Sequence, residues 1–241
     1  MLWNQGIARV VGIDEAGIGS LCGAVFAAAC LLPVGCLIIP AVRDSKLLSA
    51  EQRDRLYPKI RAQAIAITVG AASVAEIELL NIRRASHLAM RRALARIGRW
   101  DYALIDGSPI RGSSLLPAAE MASRVTTIVD GDATSYSIAC ASIVAKVTRD
   151  RLLRALAVRH PGYDWEHNAG YGSPKHLAAL RDLGITPLHR RAYAPIHRLL
   201  EPPSLVKPGA MPPGADSPGL ADGSSSAPPN GLDDFLNRPD N

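Results

Sequence analysis

Aromatic side chains are scarce: 5% of the 241 residues, with two phenylalanines and three tryptophans among them. Few rings means few flat platforms for sugars, so a carbohydrate-binding surface fits poorly and close-packed helix and sheet is expected instead. Cysteine is scarce too. Cys22, Cys30, Cys36 and Cys140 show neither C-x-x-C spacing nor a histidine at zinc-finger intervals, which excludes a zinc-finger module. They read as buried free thiols in a reducing cytoplasm. No basic-then-apolar leader opens "MLWNQGIARV", and no apolar run approaches the roughly 20 residues of a membrane helix. A cytoplasmic protein with no membrane partner is expected, and nothing demands more than a monomer.

The chain is 48% hydrophobic and rich in alanine, enough for the core of one domain. Its net charge of +5 biases it weakly toward polyanionic partners. The composition breaks near residue 201, where Pro, Gly and Ser take over and half of the 18 prolines lie. Such a segment buries too little apolar area to offset its ordering entropy. Residues 1–200 are therefore expected to form the folded domain and 201–241 a disordered tail. A short apolar knot in that tail, "LDDFL" at 232–236, is a candidate docking motif.

Apolar runs "ARVVGID", "CGAVFAAACLL" and "AIAITVGAA" predict three strands with short connections, an antiparallel meander. Between the second and third, Ser49 and Gln52 make a capping box for a short helix, which Pro58 is expected to shorten or kink. Asn81 caps a second helix over 81–97 with an apolar stripe and five arginines on its other faces. "YALID" and "VTTIVD" predict two more strands, and "SIACASIVAKVTRDRLLRALAVRH" a long helix opening on small residues. This order predicts an α/β fold with a mixed central sheet flanked by helices.

Acids end these strands. Asp14 and Glu15 close the first, Asp106 closes "YALID", and Asp132 follows "TTIVDG" just before the long helix. Open α/β sheets build sites at the carboxyl ends of strands. Clustered carboxylates repel one another, so their pKa values split or cations bind between them. A donor set of oxygens alone selects hard ions, Mg²⁺ or Mn²⁺. Two such ions suit in-line displacement at phosphorus. Paired-carboxylate glycoside hydrolysis is the competing use, and a basic, arginine-rich chain with few aromatics fits it badly.

"GIDEAGIGSLCGAV", "DSKLLS", "LIDG", "DGDATSYSIACASIVAKVTRD" and "GYGSPKHLAALRDLGITPLHRRAYAP" together resemble ribonuclease HII, the type 2 ribonuclease H, over residues 9–198. The resemblance implies an RNase H-like fold with a C-terminal helical extension. It also implies endonucleolytic cleavage of RNA in RNA–DNA hybrids, and incision at single ribonucleotides in duplex DNA, leaving 3′-hydroxyl and 5′-phosphate ends. The implied partners are nucleic acids, and the tail is a candidate for weak replication-protein docking. Carried over by position, the metal-binding and catalytic acids are Asp14, Glu15, Asp106 and Asp132, holding two divalent ions (Mn²⁺ or Mg²⁺). On an ideal strand neighbouring side chains point to opposite faces, so Glu15 is expected where the strand already turns. Gly17, Ile18 and Gly19 would bring backbone close to the ribose, whose 2′-hydroxyl separates RNA from DNA. Tyr171 would stack beside the junction. Lys46 and Lys146 would contact phosphate, with Ser135 and Ser142 as further hydroxyls. Arg190, always charged, would pair with a carboxylate or a phosphate. His167, His176 and His189 read as packing or phosphate groups rather than metal ligands.

The chain departs from the family pattern at Ile18, Leu47, Asp130, Ala169 and Ala192–Tyr193. The first four changes remove positive charge from the face expected to hold nucleic acid, and Asp130 adds a negative one beside Asp132 if that segment stays extended. Weaker substrate binding is expected, with the arginines of 83–96 as a candidate compensation. Two other readings stand beside the nuclease: a non-catalytic hybrid-binding protein, and another nuclease of the same fold such as a junction resolvase, against which "GYGSPKHL" counts.

Overall fold

The computed structural model describes residues 2–42, 45–108 and 123–200. Asp44 and the 201–241 tail with its docking motif lie outside the described residues. Five strands form one mixed sheet in the order β3-β2-β1-β4-β5. Strand β1 (Val10–Ala16) pairs antiparallel with β2 (Val25–Leu31), and β2 with β3 (Ala66–Ala72), the meander that the apolar runs predict. On its other side β1 runs parallel to β4 (Tyr102–Asp106), which runs parallel to β5 (Val125–Ile128). β2 is buried at every residue, as its unbroken apolar run demands of a strand covered on both faces.

The period of two assigns β1 side chains to two cores. Val11 and Ile13 face a layer with Ala85, Ala89 and Ala93 of α3 (Ile82–Arg96). Gly12, Asp14 and Ala16 point the other way, toward α1 (Ala50–Gln63) and the long α5 (Tyr136–Arg159). Glycine sets the spacing on each face. A Cβ at Gly12 would lie 2.2 Å from the Ser137 carbonyl carbon on α5, and one at Gly70 the same distance from the Ala89 carbonyl oxygen on α3. The alanine-rich composition thus serves close backbone contact rather than interdigitation of large groups.

Two local expectations change. Helix α1 runs through Pro58 to Gln63 without ending, because Leu56, Tyr57 and Ile60 on either side of the proline are buried in the second core. A seven-residue helix, α2 (Val74–Leu80), precedes α3, opened by a capping box between Ser73 and Glu76 that the sequence displays as S-x-x-E. Asn81 caps α3 as expected, its Oδ1 accepting from the Arg83 and Arg84 amides. After β5 a one-turn helix, α4 (Gly131–Thr134), leads into α5, and α6 (Trp165–Asn168), α7 (Pro174–Leu183) and α8 (Ala194–Leu200) complete the described chain. Among the described residues no helix is long and apolar enough to cross a membrane.

Candidate active site

The four acids meet at the carboxyl end of the central strands. Pairing between β1 and β4 ends at Ile13 opposite Ile105, so Asp14 and Asp106 follow on neighbouring parallel strands. Both project to the α5 side. Glu15 remains in the strand, opposite Ala27 of β2, and β1 continues to Ala16. The expected turn at Glu15 is therefore not there; it is the pairing with β4 that stops, opening the gap the acids share. Asp106 Oδ1 accepts the Gly131 N–H at 2.7 Å, which ties the end of β4 to α4 and to Asp132 beside it.

Asp14 is 4% exposed, and its carboxyl is held well above the usual carboxylate range. Burial is the main cause, with repulsion from Glu15 and Asp106 adding to it. The Ser142 hydroxyl, which also hydrogen-bonds Ser45 Oγ at 2.7 Å, partly relieves it. Glu15 is raised to about 7 by burial and then by the Asp106 charge, with Asp132 in the same sense and Lys46 opposing. Lys46 Nζ stands 3.8 Å from Asp132 Oδ2 on an otherwise exposed side chain. Four carboxylates share one field, in which burial and mutual repulsion raise Asp14 and Glu15. A hard divalent ion fits that donor set.

Asp130 does not stay extended. It takes a left-handed turn (φ 53°) ahead of α4, so the period-of-two argument that put it beside Asp132 does not apply. Lys146 is mostly buried and bonded to Asp150 at 2.7 Å. Its Nζ also lies 5.1 Å from the centre of the Tyr171 ring. Asp150 in turn faces Arg53, whose Nη1 donates to the Ser45 and Leu48 carbonyls. One carboxylate thus ties the turn that carries Lys46 to the helix that carries Lys146. Ser135 Oγ lies 3.2 Å from Ser137 Oγ at the start of α5.

The Gly17–Ile18–Gly19 turn rests on two buried arginines. Gly17 has φ +98°, and a Cβ there would lie 2.1 Å from Arg149 Nε. Gly19 is open, with only Tyr171 Cε1 at 3.8 Å. The two glycines therefore have different reasons: the first makes room for Arg149 below, the second leaves room above. Arg149 is fully buried and donates to the Ala24, Ala169 and Cys22 carbonyls and to Ser20 Oγ. The sequence offers one sign of it, a charge on the buried stripe Ala141, Ala145, Arg149, Leu152 of α5. Arg190, expected to meet a carboxylate or phosphate, is fully buried and donates to the Gly23 and Ile18 carbonyls. It meets the turn from behind, through backbone oxygens. Tyr171 keeps 38% of its surface beside Gly19 and Lys146, and Ile18 the same.

Behind Tyr171 lie His176 and His189, both buried, with Nε2 atoms 3.1 Å apart. Their ligand atoms and Cys22 Sγ fall within 4.8 Å of one another, as a metal site requires. The hydrogen bonds give these ring nitrogens another use. The Thr186 N–H donates to His189 Nδ1 at 2.9 Å, which leaves the His189 proton on Nε2. That proton and the Trp165 N–H both aim at His176 Nε2, and His176 Nδ1 donates to the Tyr171 carbonyl at 2.9 Å. Every ring nitrogen is satisfied with both imidazoles neutral. Burial agrees, lowering His176 and taking His189 down to about 4. The packing role expected for these two histidines holds, and they meet protein groups rather than phosphate. His167 is exposed beside half-buried Asp164 and exposed Glu166, where Lys175 Nζ comes within 3.8 Å of Asp164.

The chain is 55% identical over 191 residues to the ribonuclease HII of Thermosynechococcus vestitus, covering 79% of this chain and 86% of that one. Its fold matches the ribonuclease H2 of Pyrococcus horikoshii with a TM-score of 0.65 at 24% identity, over 79% of this chain and 96% of that one. It also matches an Mn²⁺ complex of Bst-RNase HIII with a TM-score of 0.62 at 18% identity, over 80% and 69% of the two chains. The fold is RNase H-like. With the ribonuclease HII family model matching residues 11–199, this chain belongs to the ribonuclease HII family of ribonuclease H enzymes.

Proposed function

We propose that this endonuclease, which acts on the RNA strand of RNA–DNA hybrids, also incises duplex DNA at single embedded ribonucleotides and works with two divalent ions, Mn²⁺ or Mg²⁺. The observation that carries the reading is the shared field of Asp14, Glu15, Asp106 and Asp132, next to an open glycine turn and an exposed tyrosine. Ions held by those four carboxylates would supply activation of the attacking water and charge stabilisation at the leaving 3′-oxygen. The protein's own part is placement. Ser142 and the Gly131 amide fix Asp14 and Asp106 before substrate arrives. Lys46, the exposed cation beside Asp132, suits a phosphate oxygen. Tyr171, backed by Lys146, suits stacking on the sugar or base beyond the junction.

The test uses a duplex carrying one ribonucleotide with Mn²⁺ or Mg²⁺, and an all-DNA duplex as control. Incision on the 5′ side of the ribonucleotide, lost in Asp14→Asn, is expected. Binding without incision, unchanged by Asp14→Asn, would instead mark a hybrid-binding protein without turnover.

A further inference from the structure

Ser20 N–H reaches back to the Gly17 carbonyl at 3.4 Å, closing a four-residue turn whose central peptide joins Ile18 to Gly19. In such a turn the central peptide has two orientations, related by a flip of about 180°. One of them needs a positive φ at the third residue, which glycine takes without steric cost. With Gly19 there, local geometry alone leaves both open. The fold chooses. The Ile18 carbonyl accepts from Arg190 Nη1 at 2.9 Å and from the Tyr193 hydroxyl at 2.5 Å, while Arg190 Nη1 also donates to the Tyr193 oxygen at 3.0 Å. Gly19 lies outside the left-handed region, consistent with the carbonyl held inward. A trans peptide is planar, so its N–H points opposite its C=O. An inward Ile18 carbonyl therefore turns the Gly19 N–H outward, on the open side beside Tyr171.

We propose that Arg190 and Tyr193 are positioning residues that hold the Ile18–Gly19 peptide with its N–H toward nucleic acid, ready to donate to a ribose 2′-oxygen. This rests on the reading of the turn as the ribose-facing element. Neither side chain touches substrate: Arg190 is fully buried and the Tyr193 hydroxyl is spent on Ile18. The clamp also joins two departures from the family pattern, since Tyr193 supplies a hydroxyl and Ile18 the carbonyl it holds. Arg190 remains bonded to Ile18 without Tyr193, so removing the hydroxyl weakens the bias rather than abolishing it.

Tyr193→Phe deletes one oxygen and is the variant of choice. Binding of the full chain is measured on matched duplexes with one ribonucleotide or none, in Ca²⁺ to suppress turnover, and KM and kcat are measured in Mn²⁺. The ribose-over-deoxyribose binding ratio is expected to fall about fivefold, with KM rising and kcat unchanged. The Gly19 amide resonance of the free protein should shift, while other amides far from the turn stay in place. An unchanged ratio, or an unmoved Gly19 resonance, overturns the clamp. Wild-type protein showing no ribose preference would defeat the proposed function instead. A wild-type preference that Tyr193→Phe leaves undiminished would defeat the clamp alone.

Discussion

Asp14 and Glu15 carry their pKa shifts in the same direction, and that direction sets how the metal-free protein responds to pH. Glu15 rises from 4.5 to about 7 on folding, so between those values the native state binds more protons than the unfolded one. Stability then falls as pH rises through this window, and Asp14 adds in the same sense. Urea unfolding of the metal-free protein at about pH 5 and about pH 8 should show the loss, and Glu15→Gln should reduce it. His189 works in the opposite sense. Its pKa drops from 6.5 to about 4, so its contribution is present above 6.5 and lost as pH falls through 4. His189→Gln should flatten the acid side of the profile. The two glycines of the turn separate just as clearly. Gly17→Ala combines a left-handed φ with a clash on Arg149 and should cost about 2 kcal/mol or more in a denaturation experiment. Gly19→Ala, with ordinary contacts, should stay within about 0.5 kcal/mol.

At the scale of elements, the site depends on how closely α5 lies on β1. Gly12 allows that approach, and from it Ser142 reaches Asp14. Gly12→Ala drives a Cβ into backbone that cannot rotate away. A loss of about 3 kcal/mol is expected in thermal or urea unfolding, with reduced activity at a temperature where the variant is folded. The strands and the long helix were legible because their apolar patterns extend over whole elements. The passage of α1 through Pro58 was not, since the burial that carries it comes from residues packed against the helix. Helix α2 had a readable capping box, yet only seven residues, too few for a periodic stripe.

For the whole molecule the question is where its charge faces. The arginines of α3 offered as compensation lie on a helix that packs on the opposite face of the sheet from Asp14. Arg92, for one, is bonded to Glu76 and the Ala71 carbonyl. Lys146 is paired with Asp150, leaving Lys46 as the exposed cation described beside the acids. Ile18 is open, so Ile18→Arg should steepen the slope of log affinity against log salt by about 0.9, read from binding titrations at several salt concentrations. Ala169→Lys should give no such gain. Ala169 is buried in a left-handed conformation (φ 48°) with its carbonyl bonded to Arg149, so a long side chain there disturbs the turn before it reaches a phosphate.

By itself the sequence determined the order of the strands and the longer helices, the acids that lie at or near their ends, and the motifs that mark the family. These are signals written within a few residues, through side-chain period, capping and turn chemistry. Tertiary structure decided which buried charges serve the site and how. Arg149 and Arg190 hold backbone oxygens, His176 and His189 fix their own tautomers behind Tyr171, and Tyr193 finds Ile18 across 175 positions of chain. Such contacts carry no local pattern, because a hydrogen bond between distant segments exists only once packing has removed water from between them.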